Sequence, residues 1–266
     1  MSTSATAANA PRRLRHNGTR DVLLAALAFA AGAVDAMSWL ALGKVFSGFM
    51  TGNALFIGIG LTQHLHEVAL HGAIALVAFG AGAGLTAAAL PPHEARAPWF
   101  KGVTVSLAVS ALVQLVFFGL WLAVSGRPGS SLWILLAVSA FAMGIQTAAV
   151  VSLGVHAIFT TAVTATWTVL VGDLSSWSET RSERRRLAMV LAGAILGALA
   201  GSLLIAHARL WMPLLPIVVT AGVAASARAV FKRAPASSPG IADPAIDAPS
   251  AAFGRSSGVG AIWHGR

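Results

Sequence analysis

The chain has 266 residues, of which 56% are hydrophobic and only 10% are Asp, Glu, Lys or Arg. Globular domains carry about 25% charged residues, so a soluble core of this size would not shield so much apolar surface. The composition therefore excludes a soluble enzyme, a nucleic-acid-binding domain and a disordered chain, and it predicts an all-α, polytopic membrane helix bundle. The formal net charge of +9 has a use in such a protein, because cytoplasmic Lys and Arg orient membrane helices.

Eight apolar segments follow one another between two polar ends. Residues 1–20 form a basic arm rich in Ala, Ser and Thr, which we expect to be flexible and cytoplasmic. Residues 21–231 are predicted to be the transmembrane domain, and residues 232–266, rich in Pro, Ser, Ala and Gly, a disordered cytoplasmic tail. The apolar segments, most of them of spanning length, are 22–42, 45–62, 68–90, 103–124, 132–153, 156–174, 187–206 and 210–231.

The second and sixth segments are shorter than the others and richer in Gly, Thr and Asn. They are either spans or broken, re-entrant elements, because non-helical backbone is tolerated at membrane depth where protein or water covers it. With eight spans and a cytoplasmic amino terminus, 14 Lys and Arg residues lie inside and 4 outside. The bias survives with six spans, so charge predicts that both termini are cytoplasmic and leaves six or eight spans open.

The two halves of the transmembrane domain resemble each other. Residues 28–32 (AFAAG) match residues 140–144 (AFAMG), and in each half the long helix leads into a short, Thr-containing segment. We therefore predict two tandem repeats, at about 22–125 and 132–231, with chance similarity of Ala/Gly-rich sequence as the alternative. Many transporters bind their substrate where the broken helices of two such repeats meet.

One stretch carries a recognisable pattern. It reads AGAVDAMSWLALG over residues 31–43, then VF at 45–46 and FMTGN at 49–53. This stretch resembles the YoaK-type family of uncharacterised bacterial membrane proteins, a domain of unknown function, whose first half carries Gly-x-x-Asp-Ala-x-Ser, Leu-Gly and Met-Thr-Gly-Asn. The second half of the family pattern corresponds to GIQTA at 144–148, TTAVTAT at 160–166 and DL at 173–174, with Thr147 and Ala165 departing from it. The resemblance covers about residues 20–232 and implies the membrane fold but no established activity.

Asp35 lies within the first predicted helix, where a charge at the bilayer centre costs about 2.5–3.5 kcal/mol on insertion scales. Ser38 lies near the same helix face, which we expect to point into the bundle. Asp35 is therefore either a proton- or cation-binding carboxylate, or the partner in an interhelical hydrogen bond or in an ion pair with Lys44.

Further polar side chains fall on the two short segments and on the fifth segment. They either line a small polar cavity together with Asp35 or make ordinary contacts between helices. The complete set of predicted substrate- or ion-binding residues is Asp35, Ser38, Thr51, Asn53, Gln146, Thr160, Thr161, Thr164, Thr166 and Asp173.

The paired polar motifs favour a small-solute or ion transporter, or permease, in which Asp35 is the coupling site. The alternative is a non-transporting sensor, assembly or scaffold module. The chain has no Cys, no nucleophile–base pair and no phosphate loop. His64, Glu67 and His71 share a predicted helix face, but His66 and His71 are five residues apart where a zinc-protease motif needs four, so we predict no enzyme, metal site or cofactor. The expected partners are the lipid bilayer and an unknown small solute or ion, with no nucleic acid, and the oligomeric state is left open.

Overall fold

The chain folds into helices joined by short loops. The computed structural model describes residues 4–90, 99–154 and 181–231. Within these ranges it contains no strand and seven α-helices: α1 (Ser4–Ala41), α2 (Met50–Thr62), α3 (His66–Ala89), α4 (Lys101–Ala123), α5 (Leu132–Val151), α6 (Arg181–His207) and α7 (Leu214–Phe231). A 3-10 turn, Gly129–Ser131, precedes α5. The predicted all-α class is confirmed.

Six helical segments among the described residues are long and apolar enough to cross a membrane. They are Gly18–Ala41, His66–Ala89, Lys101–Ala123, Gly129–Val151, Arg184–His207 and Leu214–Phe231. The remaining helix, α2, has 13 residues and is about 20 Å long at ~1.5 Å per residue, which is too short for a hydrocarbon core of ~30 Å. The segment at 45–62 is therefore a broken element and not a span, while the segment at 156–174 lies outside the described residues.

The first helix is longer than its membrane-spanning part. It begins at Ser4, whereas the span begins at Gly18. The helix thus extends through most of the arm that the sequence predicts to be flexible, and the Ala and Arg residues of this arm have high helix propensity. The predicted tail at 232–266 lies outside the described residues.

Two pairs of helices approach each other through glycine. On α6, glycines four residues apart meet backbone carbonyls four residues apart on α1, so the two helices run in the same direction. The pairs are Gly193 with Ala25, Gly197 with Phe29, and Gly201 with Ala33. Helices α3 and α5 cross at a similar contact, where Gly82 meets the carbonyl of Phe141 and Gly144 that of Phe79. Small residues allow this close approach, which drives packing in lipid.

Buried apolar residues form two clusters, one toward each end of the bundle. The first joins the start of α1 and α4 to the end of α5 and α7, and it includes Leu24, Val103, Ala149 and Val223. The second joins the end of α1 and α4 to the start of α3, α5 and α7, and it includes Met37, Ala75, Trp121, Leu135 and Met212. Consecutive spans therefore alternate in direction, which is why α1 and α6, the first and fifth of the described spans, run in the same direction.

Loop contacts connect the helix ends. Near the first cluster, the rings of Trp99 and Phe231 stack with centroids 5.6 Å apart. At the opposite end, Trp121 Nε1 donates to the Arg209 carbonyl at 3.0 Å, and Arg209 Nε donates to the Gly126 carbonyl at 2.6 Å. These bonds join the α4–α5 and α6–α7 connections.

The close contact between α1 and α6 predicts the effect of one added methyl group. Gly197→Ala places a Cβ against the Phe29 carbonyl, and overpacking of this kind costs about 1–3 kcal/mol. We expect a lower melting temperature for the purified protein. The matched control, Gly84→Ala on α3, meets nothing within 4 Å and is expected to be neutral or stabilising, because Ala is the better helix former. Equal effects of both substitutions would argue against the packing described for α1 and α6.

Candidate functional site

The connection between α1 and α2 folds back toward the middle of α1. Helix α1 ends at Ala41, and Gly43 and Lys44 adopt positive φ angles of 90° and 63°, which reverse the chain. A Cβ on Gly43 would lie 2.5 Å from His71 Nδ1 of α3, so the turn needs glycine both for its backbone and for space. The end of α1 and the start of α3 thus lie at the same end of the bundle.

Asp35 stabilises the amino end of α2. The Gly48 N–H donates to Asp35 Oδ1 at 2.6 Å, and the backbone N–H groups of Ser47 and Phe49 interact electrostatically with this carboxylate. The N-cap residue of α2 is Phe49, whose side chain makes no capping bond. Gly48 precedes the N-cap residue, so the Asp35 carboxylate holds the chain just before α2, and its charge near the amino end of this helix complements the helix dipole.

Asn53 closes the same connection from the other side. Its Oδ1 accepts from the Phe46 N–H at 2.9 Å, and its Nδ2 donates to the Phe46 carbonyl at 2.6 Å. Asn53 is fully buried, so its amide satisfies two backbone groups that would otherwise have no partner. Thr51, two residues earlier on α2, is exposed.

Three serine hydroxyls link this connection to the second half of the chain. Ser47 Oγ lies 3.1 Å from Ser38 Oγ of α1 and 2.8 Å from Ser139 Oγ of α5, and all three residues are buried. Ser38 therefore belongs to the same site as Asp35, as its position on the helix face predicts. The connection between α1 and α2 is in this way fixed to both halves.

Gln146 lies at a different level of the bundle. Its Nε2 donates to the Leu27 carbonyl at 3.3 Å, and its Oε1 accepts from Thr220 Oγ1 at 3.3 Å. Leu27 precedes Asp35 by eight residues, which is about 12 Å along α1. Gln146 thus joins α1, α5 and α7 away from the Asp35 carboxylate. The other candidates of the second half (Thr160, Thr161, Thr164, Thr166 and Asp173) lie outside the described residues.

A cavity of about 360 Å³, open to the outside of the helix bundle, lies beside Asp35, between α1 and α6. Its lining residues are Gly32, Asp35, Ala36, Trp39, Leu40, Phe46, Ala198 and Ser202. The aromatic residues Trp39 and Phe46 stack with centroids 5.4 Å apart. Lys44, which the sequence offers as an ion-pair partner of Asp35, instead lies over the Trp39 ring at 5.7 Å.

Sequence reasoning missed several residues of this site, among them Trp39, Ser47, Ser139 and Ser202. A single Ser in an apolar helix most often bonds to a carbonyl of its own helix, so nothing in the sequence distinguishes the serines that meet across helices. Phe46 and Gly48 stand next to the recognised motif, but only the folded connection brings them to Asp35. Among the described residues, no three potential metal ligands from His, Cys, Asp and Glu lie together.

The fold and the buried polar connection define an α-helical integral membrane protein. The chain belongs to the family described as protein of unknown function DUF1275, whose profile matches residues 23–226. It is similar to the UPF0700 transmembrane protein YoaK of Bacillus subtilis (strain 168), with 32% identity over 209 residues, which are 74% of this chain and 91% of that protein. No solved structure matches the chain significantly. The resemblance that the sequence motifs indicate is thereby confirmed.

The double hydrogen bond of Asn53 predicts a large effect of its removal. Asn53→Ala leaves the Phe46 N–H and carbonyl without their partners, and each unsatisfied buried group costs about 1–3 kcal/mol. We expect a lower melting temperature and faster hydrogen exchange of the Phe46 amide. Thr51→Ala, on an exposed side chain of the same helix, serves as the control and should stay within about 0.5 kcal/mol of the unaltered protein. An unchanged Phe46 amide in Asn53→Ala would contradict the assigned role.

Proposed function

We propose that the protein is a bacterial inner-membrane transporter, or permease, for a small solute or ion. The proposal is carried by the Asp35 carboxylate, which stands at the amino end of a short, broken helix and lines a cavity of about 360 Å³. Ionisable residues inside membrane domains commonly mark substrate or ion pathways. The sites of many secondary transporters are built from discontinuous helices in the same manner.

The arrangement of the described spans supports this proposal. The first half contributes α1, α3 and α4, and the second half α5, α6 and α7. Three described spans in each half make the second half inverted relative to the first, which is the arrangement that allows alternating access in many transporters.

The glycine contacts of the two halves correspond to each other. Phe29 and Gly32 on α1 lie 112 residues before Phe141 and Gly144 on α5. The Phe29 carbonyl meets a glycine of α6 and the Phe141 carbonyl a glycine of α3, and Gly32 and Gly144 meet carbonyls of the same two helices. Exchange of the two halves therefore reproduces the contacts, as expected for inverted repeats.

The distribution of basic residues supports an orientation with both termini in the cytoplasm. Asp21 of α1 interacts electrostatically with Arg185 and Arg186 of α6, so the two helices start at the same end of the bundle. Lys101 at the start of α4 and Arg228 near the end of α7 belong to that end as well. The opposite end carries Lys44, Arg127 and Arg209. The more basic end is the cytoplasmic one by the positive-inside rule.

One observation favours a non-transporting module instead. The Asp35 carboxylate accepts a hydrogen bond from the Gly48 N–H and interacts with the neighbouring N–H groups of Ser47 and Phe49, so a purely structural role accounts for its presence. In that case the charge is needed only to start α2, and the cavity holds no solute. The two functions differ in what happens when the charge is removed and the hydrogen-bonding oxygen is kept.

Asp35→Asn makes this distinction. Asn retains an oxygen for the Gly48 N–H and caps helices about as well as Asp, so we expect the variant to fold. If Asp35 is the coupling site, ion-coupled solute flux falls by about tenfold or more, because a neutral amide neither binds a cation nor exchanges a proton. The measurement is made in proteoliposomes containing a pH-sensitive dye, with an imposed proton or sodium gradient and panels of amines, amino acids, sugars and carboxylates.

Asp21→Asn, which alters another carboxylate of α1 away from the cavity, is the matched control and should retain wild-type flux. Wild-type coupling in Asp35→Asn would reject Asp35 as the coupling residue. If no solute class moved protons or sodium beyond the level of empty liposomes, the transport proposal would fail and the non-transporting module would stand.

A further inference from the structure

The chemistry of the cavity beside Asp35 indicates what it binds. We propose that this cavity is a site for a small organic cation, such as a protonated amine. The inference rests on the proposed function only in taking this cavity as the transport site. Whether the cavity binds such a cation follows from its own charge, walls and acceptors.

Among the described residues, the cavity carries one negative charge, and that charge has no basic partner. Asp35 is the only ionisable residue among those that line it, and the structure records no ion pair to Asp35 in the ranges that it describes. The backbone N–H groups that interact with the carboxylate are neutral dipoles and leave its net charge in place. A charge removed from water is stabilised by an opposite charge, so the site favours a cation and disfavours an anion.

The aromatic wall favours the same ligand class. The rings of Trp39 and Phe46 line the cavity, and Phe56 extends the cluster with a centroid 5.5 Å from that of Trp39. A cation within about 6 Å of an aromatic centroid is attracted by the ring quadrupole, most strongly for Trp. The chain itself uses this attraction, since the Lys44 ammonium lies 5.7 Å from the Trp39 centroid.

The polar groups of the cavity are available as hydrogen-bond acceptors. Ser202 Oγ donates its proton to the Ala198 carbonyl at 2.7 Å, so only its lone pairs remain for a ligand. Asp35, on the other helix of the same lining, offers carboxylate oxygens. An ammonium group has donors and no acceptor and therefore complements both residues, whereas a sugar brings hydroxyl donors and acceptors together.

The size of the cavity argues against a bare metal ion. Its volume of about 360 Å³ falls in the range of pockets for small organic ligands. Hard cations such as Ca²⁺ require about six or more oxygen ligands, and the side chains lining this cavity supply oxygens from Asp35 and Ser202 only. The remaining wall of Gly32, Ala36, Leu40 and Ala198 suits the carbon skeleton of an amine.

Binding of matched ligands to the purified, full-length protein tests the inference. Isothermal titration calorimetry compares 2-phenylethylammonium with its neutral and anionic counterparts, 2-phenylethanol and phenylacetate, and with sodium chloride alone. We expect the ammonium to bind about tenfold or more tightly than either counterpart, because the loss of one partner of a buried charge pair typically costs more than a factor of ten. Sodium alone should give no heat that depends on Asp35.

Variants assign the contacts. Asp35→Asn should weaken ammonium binding by about tenfold or more, Trp39→Leu by about two- to thirtyfold, and Ser202→Ala by about tenfold or less. Asp21→Asn, on the same helix and outside the cavity, should bind as the unaltered protein does. Trp39→Leu and Ser202→Ala keep the inference testable if Asp35→Asn does not fold.

The remaining outcomes reject either the binding site or the transport proposal. Equal binding of the alcohol and the ammonium, preference for the carboxylate, or Asp35-dependent binding of sodium without binding of the amine would overturn the inference. Amine binding in the absence of any flux in proteoliposomes would reject the transport proposal and leave the site intact. Flux of an uncharged solute with no amine binding would reject the site and leave transport standing.

Discussion

The structure depends on how a broken helix satisfies its backbone inside a membrane. Lipid offers no hydrogen bonds, so each free N–H and carbonyl at membrane depth must find a partner within the protein. The residues from Leu42 to Phe49 belong to no helix or strand that would pair their backbone groups. The N-cap residue of α2, Phe49, makes no side-chain capping bond. Asp35 and Asn53 supply the missing partners, one from α1 and one from α2. The charge that is costly to insert is therefore what makes the irregular backbone tolerable.

Asp35 lies between the α1–α2 connection and the aromatic cavity. On one side its oxygens meet the backbone of residues 47–49. On the other side the residue lines the aromatic cavity between α1 and α6. A ligand that pairs with the carboxylate would compete with, or polarise, the bond to Gly48 in the connection before α2, and this connection is joined to α5 through Ser47 and Ser139. Occupancy of the cavity is thereby connected physically to the contact between the two halves of the protein.

Composition and segment length were enough to predict the all-α membrane class, because the lack of charge leaves no soluble alternative. The motif around Asp35, Ser38 and Asn53 identified both the family and the residues that meet at the break. The sequence did not distinguish the short α2 from a span, since its residues are as apolar as those of the long helices and only its length in the folded chain decides the matter.

Other features escaped prediction for a different reason. Gln146 belongs to a motif that resembles a site, yet its hydrogen bonds hold α1 and α7 at another level. Ser139 and Ser202 carry no pattern, because a hydroxyl that crosses between helices and one that bonds within its own helix look alike in sequence. The periodicity of apolar residues along α1 also does not predict that Trp39 lines a cavity. The roles of these side chains depend on packing between residues that are far apart in the sequence.

The contact between Asp35 and the chain that follows it has a consequence for synthesis at the ribosome. Asp35 leaves the ribosome 13 residues before Gly48, and elongation at about 5–20 residues per second makes this interval on the order of one second. During that time the carboxylate has no amide partner, and it opposes the insertion of α1 by about 2.5–3.5 kcal/mol on insertion scales. Entry of α1 into the lipid therefore becomes more favourable once the following connection has emerged from the ribosome.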